Sequence, residues 1–223
     1  MADGCHLYYI TDRSQFPGDE SARRRALFRK IAEAATAGVD YIQLREKDLS
    51  TRELEALGRE AVSVIREAQG PTTSDQRPAT GLLINARTDI ALAVGADGVH
   101  LAGDDILPTE VRRIWSQSGA GGERPVISVA CHSADDVKRS ETESADLAIF
   151  APVFEKRDRP GTAPAGLNAL REVCQSHIPV LALGGVTLEN APDSLAAGAA
   201  GIAGIRLFQE NRIENVVRAV RRM

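Results

Sequence analysis

Cysteine is scarce: Cys5, Cys131 and Cys174 are the three in 223 residues. They are odd in number and lack metal-ligand spacing, which excludes a disulfide scaffold and a cysteine metal site and suits a reducing compartment. No apolar run approaches the length of a membrane span. The start, Met1-Ala2-Asp3-Gly4-Cys5-His6, has neither the charged nor the apolar region of a signal peptide. A cytoplasmic protein is expected. Charge of one sign is also lacking. The formal net charge is -4, too mild to argue for nucleic acid or a membrane surface as partner. The segment Ile10-Thr11-Asp12-Arg13-Ser14 contains no glycine, so the loop that cradles a dinucleotide in an open doubly wound sheet is missing.

What is present is an alternation. Short apolar runs at about 7–11, 41–46, 81–85, 98–102, 125–131, 147–154, 179–184 and 201–208 read as strands. Helical spacing occupies about 21–37, 50–69, 87–95, 108–118, 134–144, 166–176, 188–197 and 210–222. Ser50 with Glu53 three residues on predicts a capping box, and Leu54, Leu57, Ala61 and Ile65 follow at helical spacing. An internal echo joins Ala37-Gly38-Val39-Asp40-Tyr41-Ile42, Val94-Gly95-Ala96-Asp97-Gly98-Val99 and Ala197-Gly198-Ala199-Ala200-Gly201-Ile202. In each, a helix ends at a glycine and a strand begins at once. Strict alternation implies a parallel sheet, and eight units in this length imply a (β/α)8 barrel spanning 1–223 as one domain. An open doubly wound sheet is the alternative.

The chemistry-bearing residues fall at strand ends. Gln43, Arg45 and Lys47 share one strand face, and two cations with an amide suit phosphate or pyrophosphate oxygens. The competing reading pairs Glu46 and Asp48 with Lys47 in a solvated turn. Asn85-Ala86-Arg87 and His100-Leu101-Ala102-Gly103-Asp104-Asp105 end the third and fourth runs. Asp104 and Asp105 offer oxygen ligands for Mg²⁺, or cap the next helix. His132 ends the fifth run and is the histidine best placed for proton transfer. Cys131 faces the other way. His100 has the same standing as a lone strand-end histidine, with His6 and His177 weaker. Gly184-Gly185 after the seventh run, and Gly204 with Arg206 in the eighth, stand where barrels cradle phosphate on backbone N–H groups. Residues 70–80 read as an ordinary loop. Residues 155–165 read as a charged loop on the catalytic face.

Taken in order, YYIT, YIQLREKDLS, LLINARTDIALAVGADGVHLAGDD, ISVACHS and LALGGVT resemble the thiamine phosphate synthase/TenI superfamily from about Leu7 to Phe208. The resemblance implies a (β/α)8 barrel that binds phosphorylated thiazole compounds in thiamine biosynthesis. It makes Gln43, Arg45, Lys47 and Asn85 substrate- and phosphate-binding positions, with Gly184 and Gly185 in the thiazole-phosphate loop. In the synthases Mg²⁺ assists loss of pyrophosphate, and Asp105 matches the second metal-binding aspartate. The first is replaced by Ala86. Gly103, Ala130, the segment from Phe154 to Arg159, and Ala203, Gly204 and Arg206 also depart from the synthase pattern. TenI-type proteins instead aromatise a thiazole phosphate carboxylate tautomer without a metal, and His132 matches their proton-transferring histidine. The expectation is therefore a TenI-like thiazole tautomerase needing no cofactor. The alternatives are a synthase using Mg²⁺ and a non-catalytic thiazole-phosphate binder, each with homo-oligomerisation open.

Overall fold

Alternation along the first apolar run sends Leu7 and Tyr9 to one face and Tyr8 and Ile10 to the other. All four are buried. A strand buried on both faces requires a layer of structure on each side. The computed structural model describes residues 5–70, 80–119, 124–155, 157, 161 and 163–223, and in it the strands supply one of those layers by closing on themselves. β1 (His6–Ile10), β2 (Tyr41–Leu44), β3 (Gly81–Asn85), β4 (Gly98–Leu101), β5 (Val126–Cys131), β6 (Leu147–Phe150), β7 (Val180–Ala182) and β8 (Gly201–Gly204) pair in sequence order, all parallel. Closure comes from β8 on β1, with Leu7 opposite Ile202 and Tyr9 opposite Gly204. The result is a (β/α)8 barrel.

The helices form the outer layer: α1 (Glu20–Ala37), α2 (Thr51–Gln69), α3 (Thr88–Val94), α4 (Pro108–Gln117), α5 (Ala134–Thr142), α6 (Gly166–Val173), α7 (Ala191–Ala196), α8 (Arg206–Gln209) and α9 (Ile213–Val220). Two cores follow from the alternation. Tyr8, Ile10, Leu83, Leu147, Ile149, Leu181 and Ala203 fill the barrel. Leu7, Leu27, Ile31, Leu57, Ile84, Val99, Phe150 and Phe208 belong to the core between barrel and helices. Each fully buried Leu, Ile or Phe contributes roughly 1.5–3 kcal/mol over leaving it exposed.

Local chemistry sets the boundaries. Ser50 and Glu53 make the reciprocal capping box of α2, and Ser133 with Asp136 makes a second one at α5. Gly38 and Gly95 close α1 and α3 at φ 79° and 67°, a conformation that costs other residues dearly. The echo seen in the sequence carries a further device. Asp40, Asp97 and Asp146 each precede an even-numbered strand, and each accepts the N–H of the preceding strand (Leu7, Leu82 and Ile127) at 2.7 Å. These carboxylates fix strand register at the bottom of the barrel. Beyond β8 the sequence expectation is corrected: the strand stops at Gly204, and Arg206–Gln209 turns into a short helix. The sixth strand likewise ends at Phe150. Most of the loop expected at 70–80, and residues 156, 158–160 and 162 of the loop at 155–165, lie outside the described residues. Among the described residues no helix is long and apolar enough to cross a membrane.

Candidate active site

Parallel strands put all their C-terminal ends at one mouth, where barrel active sites form. At β2, Gln43 turns inward and is 1% exposed. Its Nε2 donates to Asn85 Oδ1 at 2.8 Å, while its Oε1 is buried without a partner among the described residues. Arg45 and Lys47 lie just beyond the strand, which ends at Leu44. Arg45 is half-buried and Lys47 exposed. The Arg45 N–H donates to Thr11 Oγ1 at 3.0 Å. The competing reading of this turn is corrected: Glu46 and Asp48 pair with Arg13, at 3.0 and 2.7 Å, and not with Lys47.

Register lays Asn85, His100 and Ser128 side by side across β3, β4 and β5. His100 Nδ1 lies 2.9 Å from Ser128 Oγ, which lies 2.8 Å from the Tyr8 hydroxyl. Tyr8 and Ser128 are wholly buried. Proton direction follows from counting acceptors. If Ser128 donated to Tyr8, the Tyr8 proton would face only His100 Nδ1 at 3.5 Å, too long for a useful hydrogen bond. Every proton is used when Tyr8 donates to Ser128 and Ser128 donates to His100. His100 Nδ1 is then an acceptor, and its remaining proton sits on Nε2. Burial holds this imidazole neutral, assisted by the Arg45 charge, with its pKa lowered to about 3. His100 is thus a donor at the mouth, not a base. Sequence reading gave no hint of Tyr8 or Ser128 here. The available signal was polar groups at inward positions of otherwise apolar strands.

A depressed histidine pKa has a consequence for stability. The unfolded chain protonates His100 near pH 6.5 while the folded chain does not, so stability present above that pH is lost as pH falls toward about 3. Between pH 6.5 and 5 the expected loss approaches about 1.4 kcal/mol per pH unit. Urea unfolding of wild type and His100→Leu over that range checks it. The variant should show the flatter dependence, and equal slopes would sink the assignment.

His132 follows β5 and is exposed. Its Nδ1 lies 2.7 Å from the Ala151 carbonyl oxygen. A carbonyl only accepts, so Nδ1 carries the proton, and in the neutral ring Nε2 keeps a lone pair. Its neighbour Cys131 points the other way, buried against Ser140, and burial pushes its thiol up to about 11. Asp105 is engaged in its own turn, accepting the Ala102 N–H at 2.7 Å; Asp104 is exposed. Ala86 has φ 56°. Among the described residues no three His, Cys, Asp or Glu side chains gather for a metal ion. Ala86, which follows β3, offers no carboxylate for Mg²⁺; Asp104 and Asp105 follow β4.

At the far side of the mouth Gly184 and Gly185 have φ 94° and 67°. A Cβ on Gly185 would come within 2.4 Å of the Glu155 carbonyl oxygen, so the loops after β6 and β7 are packed backbone to backbone. A Cβ on Gly204 would meet Leu207 Cβ at 3.1 Å; what this glycine visibly permits is the close approach of α8. Arg206 opens α8 and is half-buried.

A closed (β/α)8 barrel with basic, amide and imidazole groups at its C-terminal mouth has the layout on which barrel enzymes build their active sites. The sequence profile of the thiamine monophosphate synthase family matches residues 7–208, and the chain belongs to that family. It is 35% identical over 201 residues to the thiamine-phosphate synthase of Roseiflexus sp., covering 89% of this chain and 76% of the relative. It is 34% identical over 220 residues to that of Syntrophomonas wolfei, covering 97% and 95%. The solved structure of a thiamine phosphate pyrophosphorylase from Pyrococcus furiosus superposes with a TM-score of 0.75 at 28% identity, covering 97% of this chain and 94% of that one.

Proposed function

We propose that this chain binds a thiazole phosphate at the barrel mouth and aromatises its carboxylate tautomer by proton transfer through His132. The observation that carries this reading is the anchoring of His132 Nδ1 on the Ala151 carbonyl, which reserves Nε2 for substrate. Isomerisation moves one proton between two carbons and leaves composition and electron count unchanged. Nε2 takes the proton from one carbon, and the imidazolium, still donating from Nδ1 to Ala151, returns a proton to the other. Gln43, Arg45, Lys47 and Asn85, with Gly184, Gly185, Gly204 and Arg206 opposite, hold the anionic ends of the ligand. The His100 Nε2–H adds a neutral donor beside Arg45. Proton transfer needs no metal, which agrees with Ala86.

The second reading, coupling of a pyrimidine pyrophosphate to thiazole phosphate, is favoured by the names of the relatives. Assay of purified protein with both substrate sets, with and without Mg²⁺, separates the two. Aromatisation independent of Mg²⁺ is expected; robust Mg²⁺-dependent coupling by the wild type would overturn the proposal.

Ala86 supplies a sharper version of the same test. Its left-handed backbone costs an ordinary L-residue roughly 1–2 kcal/mol, and aspartate and asparagine adopt it more readily. Ala86→Asp is therefore expected to stabilise the fold by up to about 1 kcal/mol while raising any residual coupling activity. Thermal unfolding and the coupling assay read the two effects separately. An unstable variant would contradict the backbone argument, and unchanged coupling would place the deficit in the other departures.

A further inference from the structure

Arg13 lies in a single 3-10 turn, Arg13–Gln15, after β1, and is 4% exposed. Its Nε donates to Glu20 at 2.8 Å, Nη1 to Glu46 at 3.0 Å and to Asp48 at 2.7 Å, and Nη2 to Asp48 at 2.9 Å. Its backbone N–H also donates to Glu46, at 3.1 Å. Thr11 completes the knot, donating to Glu46 Oε1 at 2.7 Å while accepting the Arg45 N–H. The β2–α2 turn reads Arg45-Glu46-Lys47-Asp48, two bases and two acids in alternation. Left to itself, such a turn pairs its own charges. Here both acids face Arg13, and among the described residues neither Arg45 nor Lys47 has an ion pair with a carboxylate.

We propose that Arg13 is a positioning residue that partitions charge at the mouth, taking up Glu46 and Asp48 so that Arg45 and Lys47 remain available to an anionic substrate. This inference rests on the reading of the mouth as an anion site. The physical reason for an arginine is its planar fork, which engages both Asp48 oxygens and Glu46 at once. Burial pushes the Glu46 carboxyl up, opposed by its bonds from Thr11 and Arg13, and the Arg13 contact holds Asp48 low. Both acids are therefore held by one buried cation.

Calorimetric titration with inorganic pyrophosphate tests the partition. Arg13→Gln is expected to weaken binding tenfold or more. The triple variant Arg13→Gln, Glu46→Gln, Asp48→Asn removes the acids as well, and should bind within threefold of wild type. A merely structural latch is lost in both variants, so a triple variant as weak as the single one overturns the inference. So does a folded Arg13→Gln that binds like wild type. If Arg13→Gln does not fold, Arg13→Lys takes its place: it keeps one cation but loses the fork that holds both acids, so binding weaker than that of the triple variant supports the partition and equal binding overturns it. Absence of pyrophosphate binding by the wild type overturns the anion-site reading itself, and this inference with it.

Discussion

Replacing His132 by Asn is expected to slow aromatisation roughly 10²–10⁴-fold while thiazole phosphate still binds. The argument starts from alternation on β5. Cys131 turns outward into the core, and His132 comes next, at the mouth. The Ala151 carbonyl then fixes the tautomer. Asparagine can keep that hydrogen bond through its amide N–H, but it has no basic nitrogen to take up and return a proton. Binding geometry and proton transfer are thereby separated. Single-turnover aromatisation by wild type and variant measures the difference, with ligand affinity determined alongside. Equal rates would remove His132 from the chemistry. Tight binding with no turnover by the wild type would make the chain a thiazole-phosphate binder.

The barrel was legible because its signals are local. Each apolar run is short, each helix has its own stripe, and Gly38 and Gly95 mark the helix ends within a few residues of the next strand. The groups around the end of β2 stood out because they are close in sequence, but the expected shared strand face is corrected: β2 ends at Leu44, so Gln43 lies on the strand and Arg45 and Lys47 follow it. What stayed hidden depends on distance along the chain. Tyr8 and Ser128, which bond, are 120 residues apart, and Ser128 and His100 are 28 apart; only barrel closure brings β1 against β4 and β5. Read singly, Tyr8 and Ser128 are ordinary strand residues. Arg13 was hidden similarly, since its partners Glu46 and Asp48 lie 33 and 35 residues on, and a nearer cation, Lys47, competed for them in the reading. The boundary of β8 failed for a different reason. Ile205-Arg206-Leu207-Phe208 is apolar enough for a strand and too short to reveal a helical period; the turn into α8 is set by packing of Leu207 and Phe208 into the outer core.

Arg45→Ala should weaken binding of a phosphorylated ligand by about 1.5–3 kcal/mol, the scale of a hydrogen bond to a charged group. That corresponds to roughly 10- to 150-fold in affinity. The magnitude is argued from surroundings. Arg45 is half-buried, its backbone is tied to Thr11, and no carboxylate among the described residues neutralises it. Its charge already reaches His100, where it helps keep the imidazole neutral. A guanidinium so placed is screened less than a surface lysine, so its loss should persist at moderate salt. Lys47, exposed beyond the turn, should matter less and lose its contribution as salt rises. Arg45→Lys separates charge from shape: it keeps the cation and removes the two-pronged contact, so an intermediate affinity is expected. Calorimetric titration of thiazole phosphate into wild type, Arg45→Ala, Arg45→Lys and Lys47→Ala at two salt concentrations orders these contributions. Affinity unchanged by Arg45→Ala would mean that the anionic ligand is held elsewhere, with the glycine loops and Arg206 as the remaining site.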